Sequence, residues 1–206
     1  MNALLLVGRV KTYEKNLLHL LKDCQNDIFV SINGILDDYH QEFIDKVKPR
    51  AIVFEEFKCP SKLLDYKNIR EEYKNNTGIY KFVSHYYNLK KAFKLLKNSG
   101  NKYKNILLFR ADIESKNFPN LFLDIPKGSL MNPDKVYDAE WINNEVIYGC
   151  QETMEIYCNI YDYLEWYVDR NFLLHPEIIA TDYLKQNKIE IIKFKYDYQL
   201  DLNRYG

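Results

Sequence analysis

Continuous apolar runs alternate with stretches of helical period along the first half of this chain. Residues 3–10 (ALLLVGRV) are apolar almost without a break, the pattern of a strand covered on both faces and therefore central in a sheet. Leu17, Leu18, Leu20 and Leu21 then recur at helical spacing over residues 13–24, and residues 27–33 (DIFVSIN) return to strand character. A second helix over 39–47 carries Phe43, Ile44 and Val47 on one face and leads past Pro49 into a third strand over 51–57. Residues 58–77 are charged and poorly periodic. They read as a surface loop with room for one short helix, and loops of that length tend to carry function. A long amphipathic helix over 80–98 follows, with Phe82, Tyr86, Leu89, Phe93 and Leu96 on its stripe; Asn98, Ser99 and Gly100 end it.

The period changes after the fourth strand, which starts at Asn105. Pro119, Pro126, Gly128 and Pro133 break the pattern into short pieces. Beyond them, 135–148 reads as one or two strands, 152–168 and 175–186 as helices, and 189–194 as a last strand. The repeated strand and helix alternation predicts an α/β fold: a mostly parallel or mixed central sheet flanked by helices. The chain length of 206 residues suits one domain, with residues 1–114 as a first half and 115–206 as a second.

The fourth strand ends in unusual company. Asn105 to Glu114 reads NILLFRADIE, an apolar run closed by Arg110, Asp112 and Glu114. Ligands of parallel α/β sheets bind outside the carboxyl ends of the strands, so these side chains stand where chemistry is expected. If the strand runs on through them, alternation turns all three to one face. Two carboxylates at that spacing can share a hard divalent cation, and the arginine adds a fork of donors for a phosphate. A solvated loop after a strand produces the same pattern.

These residues resemble the strand-end D-x-D-like motif of GT-A type glycosyltransferases, the nucleotide-diphospho-sugar transferase superfamily, although R-A-D-I-E stands where a strict D-x-D would. Three more stretches resemble the capsular and lipopolysaccharide branch of that family and its small virus-encoded relatives. They are VGRVKTYE from Val7, the helix HYYNLKKAFKLL from His85, and NNEVIYG from Asn143 followed by LHPEIIATDYL from Leu174. Together they cover most of the chain in the family's order. The resemblance implies transfer of a sugar from a UDP- or GDP-type donor to a hydroxyl of a glycan or glycoprotein. It implies Mn²⁺ or Mg²⁺ on Asp112 and Glu114, and donor contacts from Gly8, Arg9, Lys11, Thr12, Arg110, Asp112, Asn143 and Asn144. On the acceptor side it implies, if the reaction inverts, Glu177 as general base with His175 beside it, Asp182 being the alternative base.

The residues themselves leave rival uses open. Gly8, Arg9, Lys11 and Thr12 also suit an ordinary turn after a strand, and Asn143 with Asn144 an ordinary polar turn. His175, Pro176 and Glu177 also match a plain helix start. His85 and Tyr86 can face the cleft or pack in the core, packing being the commoner use, and Lys90, Lys91 and Lys94 read as the solvated face of their helix. A non-catalytic nucleotide or glycan-binding module would use the same cleft. So would a metal-dependent phosphohydrolase or nucleotidyltransferase, although no phosphate-loop or metal-binding histidine motif is present.

Charge and cysteine content narrow the setting. Lys+Arg and Asp+Glu are equal at 29 each, so no overall field draws the chain to nucleic acid. The 18 tyrosines combine apolar bodies with hydroxyls suited to wet clefts, an excess that drift toward a Lys/Asn/Tyr-rich composition also produces. Cys24, Cys59, Cys150 and Cys158 are widely spaced, which argues against a structural zinc site and gives no disulfide framework. Arg9 and Lys11 close the first apolar run too early for a signal peptide or membrane span. A cytoplasmic protein is expected, in the host cytoplasm if the source is viral.

Overall fold

The computed structural model describes residues 1–8, 10, 13–22, 24–70, 76–119, 124–134 and 141–200. Its centre is a sheet of seven strands: β1 (Asn2–Val7), β2 (Asp27–Asn33), β3 (Ala51–Glu55), β4 (Asn105–Arg110), β6 (Ser129–Pro133), β7 (Val146–Gly149) and β8 (Glu190–Phe194). The spatial order is β3-β2-β1-β4-β7-β6-β8. The first four are parallel; β7 runs antiparallel to both β4 and β6, and β6 pairs parallel with β8. The sheet is therefore of the mixed kind. A separate two-stranded piece pairs β5 (Ile113–Glu114) with β9 (Gln199–Leu200).

The unbroken apolar runs are explained by two cores. Ala3, Leu5 and Val7 of β1, with Ile106 and Leu108 of β4, face one core, which they share with α5 (Asn76–Asn98), α6 (Gln151–Cys158) and α8 (Pro176–Gln186). Leu4 and Leu6, with Leu107 and Phe109, face the other. That second core is covered by α1 (Tyr13–Asn16), α2 (Leu18–Leu21) and α3 (Asp38–Val47). Each strand thus needs apolar side chains at every position.

Two expected helices are divided. The one over 13–24 breaks at Leu17, whose φ of −125° leaves the helical region, and the one over 152–168 becomes α6, a 3₁₀ turn (Ile160–Tyr163) and α7 (Leu164–Asp169). The 58–77 stretch contains the short α4 (Ser61–Leu64), and α5 begins within it. β6 was hidden in the proline-punctuated segment; Pro133 is its last residue and lies beyond the ladder with β7, which pairs only Leu130 and Met131. Of the strand signal read over 135–148, β7 is observed from Val146, and residues 135–140 lie outside the described residues.

Gly149 closes β7 where the sheet meets α6. A Cβ there would stand 2.3 Å from Leu130 Cδ2, 2.9 Å from Thr153 Oγ1 and 3.2 Å from Met154 Cγ. Leu130 and Met154 are fully buried, so neither can swing clear. Gly149→Ala is expected to destabilise the protein by about 1–3 kcal/mol through overpacking. A urea midpoint unchanged from the parent protein would contradict this tight approach.

Candidate active site

The order of strands reverses between β1 and β4: β2 and β3 extend the sheet to one side of β1, and β4 lies on the other. Such a reversal opens a crevice at the carboxyl ends of the two strands. Gly8 makes the turn out of β1 at a φ of +102°, a conformation that a side chain would strain, and its Cβ position is 3.9 Å from the Ala111 nitrogen. The Ala111 N–H in turn donates to the Val7 carbonyl at 2.9 Å, so the turns after β1 and β4 lie side by side. Arg9, Lys11 and Thr12 lie outside the described residues.

The charged end of β4 departs from expectation. The strand stops at Arg110, Ala111 and Asp112 form a turn, and Glu114 belongs to β5 in the other sheet. The three side chains therefore do not alternate along one strand. Arg110 folds back onto Asp112 as a two-pronged pair, Nε donating to Oδ1 at 3.0 Å and Nη2 to Oδ2 at 2.6 Å. Both side chains are largely covered, with 23% and 9% of their surface exposed. Glu114 is half exposed and pairs with Lys15 at 3.3 Å.

A divalent cation shared by Asp112 and Glu114 does not fit this arrangement. Both Asp112 oxygens already face a guanidinium, and Glu114 is engaged elsewhere on the surface. Among the described residues no three His, Cys, Asp or Glu side chains are grouped to hold a metal ion.

β7 brings a second set of polar groups to Arg110, because its incoming segment runs alongside: the Arg110 N–H donates to the Glu145 carbonyl at 3.1 Å. Asn143 is spent on building this segment. Its Oδ1 accepts from the Glu145 N–H, its backbone bonds Asn132, and its Nδ2 donates to Tyr198 Oη at 2.7 Å. Asn144 points inward and is buried. Its Oδ1 accepts from Tyr157 Oη at 2.7 Å and Tyr86 Oη at 3.2 Å, while its Nδ2 has no acceptor among the described residues. His85, one residue before Tyr86 on α5, hydrogen-bonds the Asn144 backbone and leaves its buried Nε2 without a partner among the described residues. Burial first, and then the Arg110 charge, push the His85 imidazole down to about 3, against a weaker opposing pull from Asp112. It is a neutral ring at physiological pH.

The third contribution is the start of α8, which Pro176 pre-organises at the first helical turn with His175 as N-cap. The single Tyr86 Oη proton is shared between Asn144 Oδ1 and the nearer Pro176 carbonyl at 2.7 Å, tying α8 to Asn144. Glu177 follows with 32% of its side chain exposed, yet its Oε2 is buried and has no donor in hydrogen-bonding geometry among the described residues. His175 Nδ1 lies 3.2 Å from that oxygen, at an angle too poor for a hydrogen bond. On its far side, His175 Nε2 is 3.1 Å from Arg70 Nη1, a contact in which the guanidinium donates, and Trp141 tilts against the imidazole at 5.5 Å. Burial pushes the Glu177 carboxyl up to about 7. Its own backbone N–H opposes the shift, Glu145 adds to it, and Arg110 and Arg70 pull it back.

Asp182 faces away from this cluster. It accepts from Tyr167 Oη at 2.8 Å and Gln186 Nε2 at 2.5 Å, a structural bond between α7 and α8.

The sequence-predicted residues Gly8, Arg110, Asp112, Asn144, His175 and Glu177 thus gather at one end of the sheet, while Glu114 and Asp182 do not join them. His85, Tyr86, Tyr157, Glu145, Arg70 and Trp141 complete the cluster. Sequence reasoning left His85 and Tyr86 between the cleft and the core: the Tyr86 ring packs in the core while its hydroxyl meets Asn144 and Pro176. A histidine beside an apolar stripe was the one signal available. Nothing local marked Arg70 or Tyr157.

No protein-family model matches the sequence, and no curated protein matches it. Solved structures match in fold. The apo form of the glycosyltransferase GlyE from Streptococcus pneumoniae TIGR4 aligns with a TM-score of 0.54 at 11% identity, covering 93% of this chain and 44% of that one. A second GlyE structure gives 0.53 at 11% identity, with 93% and 44% covered. A glycosyltransferase involved in glycosylation of the major capsid of PBCV-1 gives 0.48 at 12% identity, over 94% of this chain and 81% of that one. The chain spans less than half the length of GlyE. The expected GT-A-like fold is the one observed. No helix among the described residues is long and apolar enough to cross a membrane.

Proposed function

We propose that this protein is a glycosyltransferase that moves a sugar from a UDP- or GDP-type donor to a hydroxyl group of a glycan or glycoprotein. The observation that carries this reading is the arrangement at the end of β4: the Arg110 guanidinium is gripped by Asp112, and Tyr86 links Asn144 to the start of α8, where Glu177 stands. The crevice lies at the strand-order reversal of a sheet with the fold of solved glycosyltransferases.

Each group has work in such a reaction. As the glycosidic bond breaks, negative charge grows on the departing nucleoside diphosphate and the sugar takes on oxocarbenium character. Arg110, held by Asp112, offers fixed positive charge to the phosphates. Glu177 is poised near neutral pH, where a general base combines sufficient basicity with a usable ionised fraction. Asn144 Nδ2, a donor, and Nε2 of the neutral His85, an acceptor, are both buried, and neither has a partner among the described residues. Tyr86 and Tyr157 hold Asn144 in place. Arg70 and His175 back Glu177 from the other side. No step is assigned to a divalent cation.

The test is incubation with UDP- and GDP-hexoses and a panel of saccharide acceptors, followed by mass spectrometry and quantitation of released nucleotide. The expected products are free nucleoside diphosphate and an acceptor heavier by one sugar. Release of inorganic phosphate or pyrophosphate would instead indicate a hydrolase or nucleotidyltransferase. A thermal shift of about 2.7 kcal/mol in stability at a hundredfold excess over Kd, with no product on any acceptor, would indicate a binding module.

A further inference from the structure

We propose that Arg110 is the resident cation of the donor site, so that this chain binds a nucleoside diphosphate without a divalent metal. The inference rests on the sugar-transfer reading and departs from the metal dependence that the strand-end motif led us to expect.

Three observations carry it. First, the one carboxylate buried at the end of β4 has both oxygens engaged by the Arg110 fork, at 3.0 and 2.6 Å, in a pair that is mostly covered. A metal ion on Asp112 would have to share that carboxylate with the guanidinium, bringing two cations together in a covered site, which is unfavourable. Second, the other candidate ligand, Glu114, is on a different sheet and paired with Lys15. Third, Arg110 occupies the electrostatic position of a bound cation. Its charge acts on His85, Tyr157, Glu177 and Tyr198, groups drawn from α5, α6, α8 and the segment before β9. Asp112 grips the guanidinium through Nε and Nη2, and the fork is oriented by that grip. A planar, permanently charged group held in this way suits phosphate oxygens. Asp112 is then a positioning residue: it aims Arg110 and touches no substrate.

Titration calorimetry with UDP and with GDP tests this, once in EDTA and once in excess MnCl₂. The dissociation constant of the nucleotide that binds is expected to agree between the two conditions within about threefold. Arg110→Gln is expected to weaken binding by about tenfold or more in both, and Arg110→Lys by less, because lysine keeps the charge and loses the fork. Binding in Mn²⁺ that disappears in EDTA overturns this inference and leaves the transfer reading standing. Binding of neither nucleotide in either condition overturns both. The comparison on the unsubstituted protein decides the matter even if Arg110→Gln fails to fold.

Discussion

Glu177→Gln is expected to lower turnover at pH 8 by about 10²–10⁴-fold, the usual cost of removing a general base. Nucleoside diphosphate affinity should remain, because Arg110 is untouched. In the parent protein kcat should climb with pH through about 7, where the Glu177 carboxyl ionises in the folded state, and level off above it. The same substitution should raise stability at pH 8. The folded-state value lies above the ordinary 4.5, so between 4.5 and about 7 the native protein holds a proton that the unfolded chain has released. Stability therefore falls as pH rises through that window, and a neutral glutamine escapes the loss. The shift corresponds to at most about 3 kcal/mol. Allowing for the exposed third of the side chain, we expect about 1–2 kcal/mol.

His85 works in the opposite direction. Its value is depressed from 6.5 to about 3, so its contribution is present above 6.5 and is lost as pH falls. The two slopes overlap between 4.5 and 6.5. The difference between parent and Glu177→Gln proteins isolates the Glu177 part, and urea midpoints at pH 5 and pH 8 measure it. A turnover flat from pH 5 to 9, or a variant as active as the parent, would remove Glu177 from the mechanism.

Asp112→Ala should cost about 2–3 kcal/mol of stability and weaken donor binding, by no more than Arg110→Gln does. Removing one member of a buried charge pair leaves the other desolvated without compensation, a loss of about 3–5 kcal/mol in fully buried cases. Arg110 retains some solvent contact, which places the expectation lower. The diagnostic is a double-mutant cycle. With Arg110→Leu already present, there is no stranded charge, so Asp112→Ala should then cost little, and the two effects should fall well short of additive. Denaturant curves with unchanged slopes measure all four proteins. Strict additivity would mean that the pair holds nothing together and that Arg110 is not positioned by it.

The contrast between Asp112 and Glu114 shows where one-dimensional reading stops. Both carboxylates follow the same apolar run two residues apart, and nothing in their local pattern separates them. The chain turns at Ala111 and Asp112, and residues 113–114 find a partner strand at Gln199–Leu200, far away in sequence. That pairing sends Glu114 to the surface beside Lys15 and leaves Asp112 covered against Arg110. The two-residue β9 was likewise invisible, because so short a strand carries too few positions to display a period and owes its existence to the neighbour that accepts its hydrogen bonds.

The central strands and the long helix were legible because burial on both faces, or along one stripe, imposes a repeat that each segment must carry in its own residues. Leu4 and Leu5 report opposite cores whether or not the cores are in view. Even the position of the site followed from this, since alternation of strand and helix sets which ends of the strands meet. Its chemistry did not follow. A glutamate raised to about 7, a neutral His85 and an Asn144 donor with no acceptor among the described residues are properties of groups from distant segments brought together by the fold. Desolvation and pair energies depend on what stands next to a side chain, and only the folded chain supplies those neighbours.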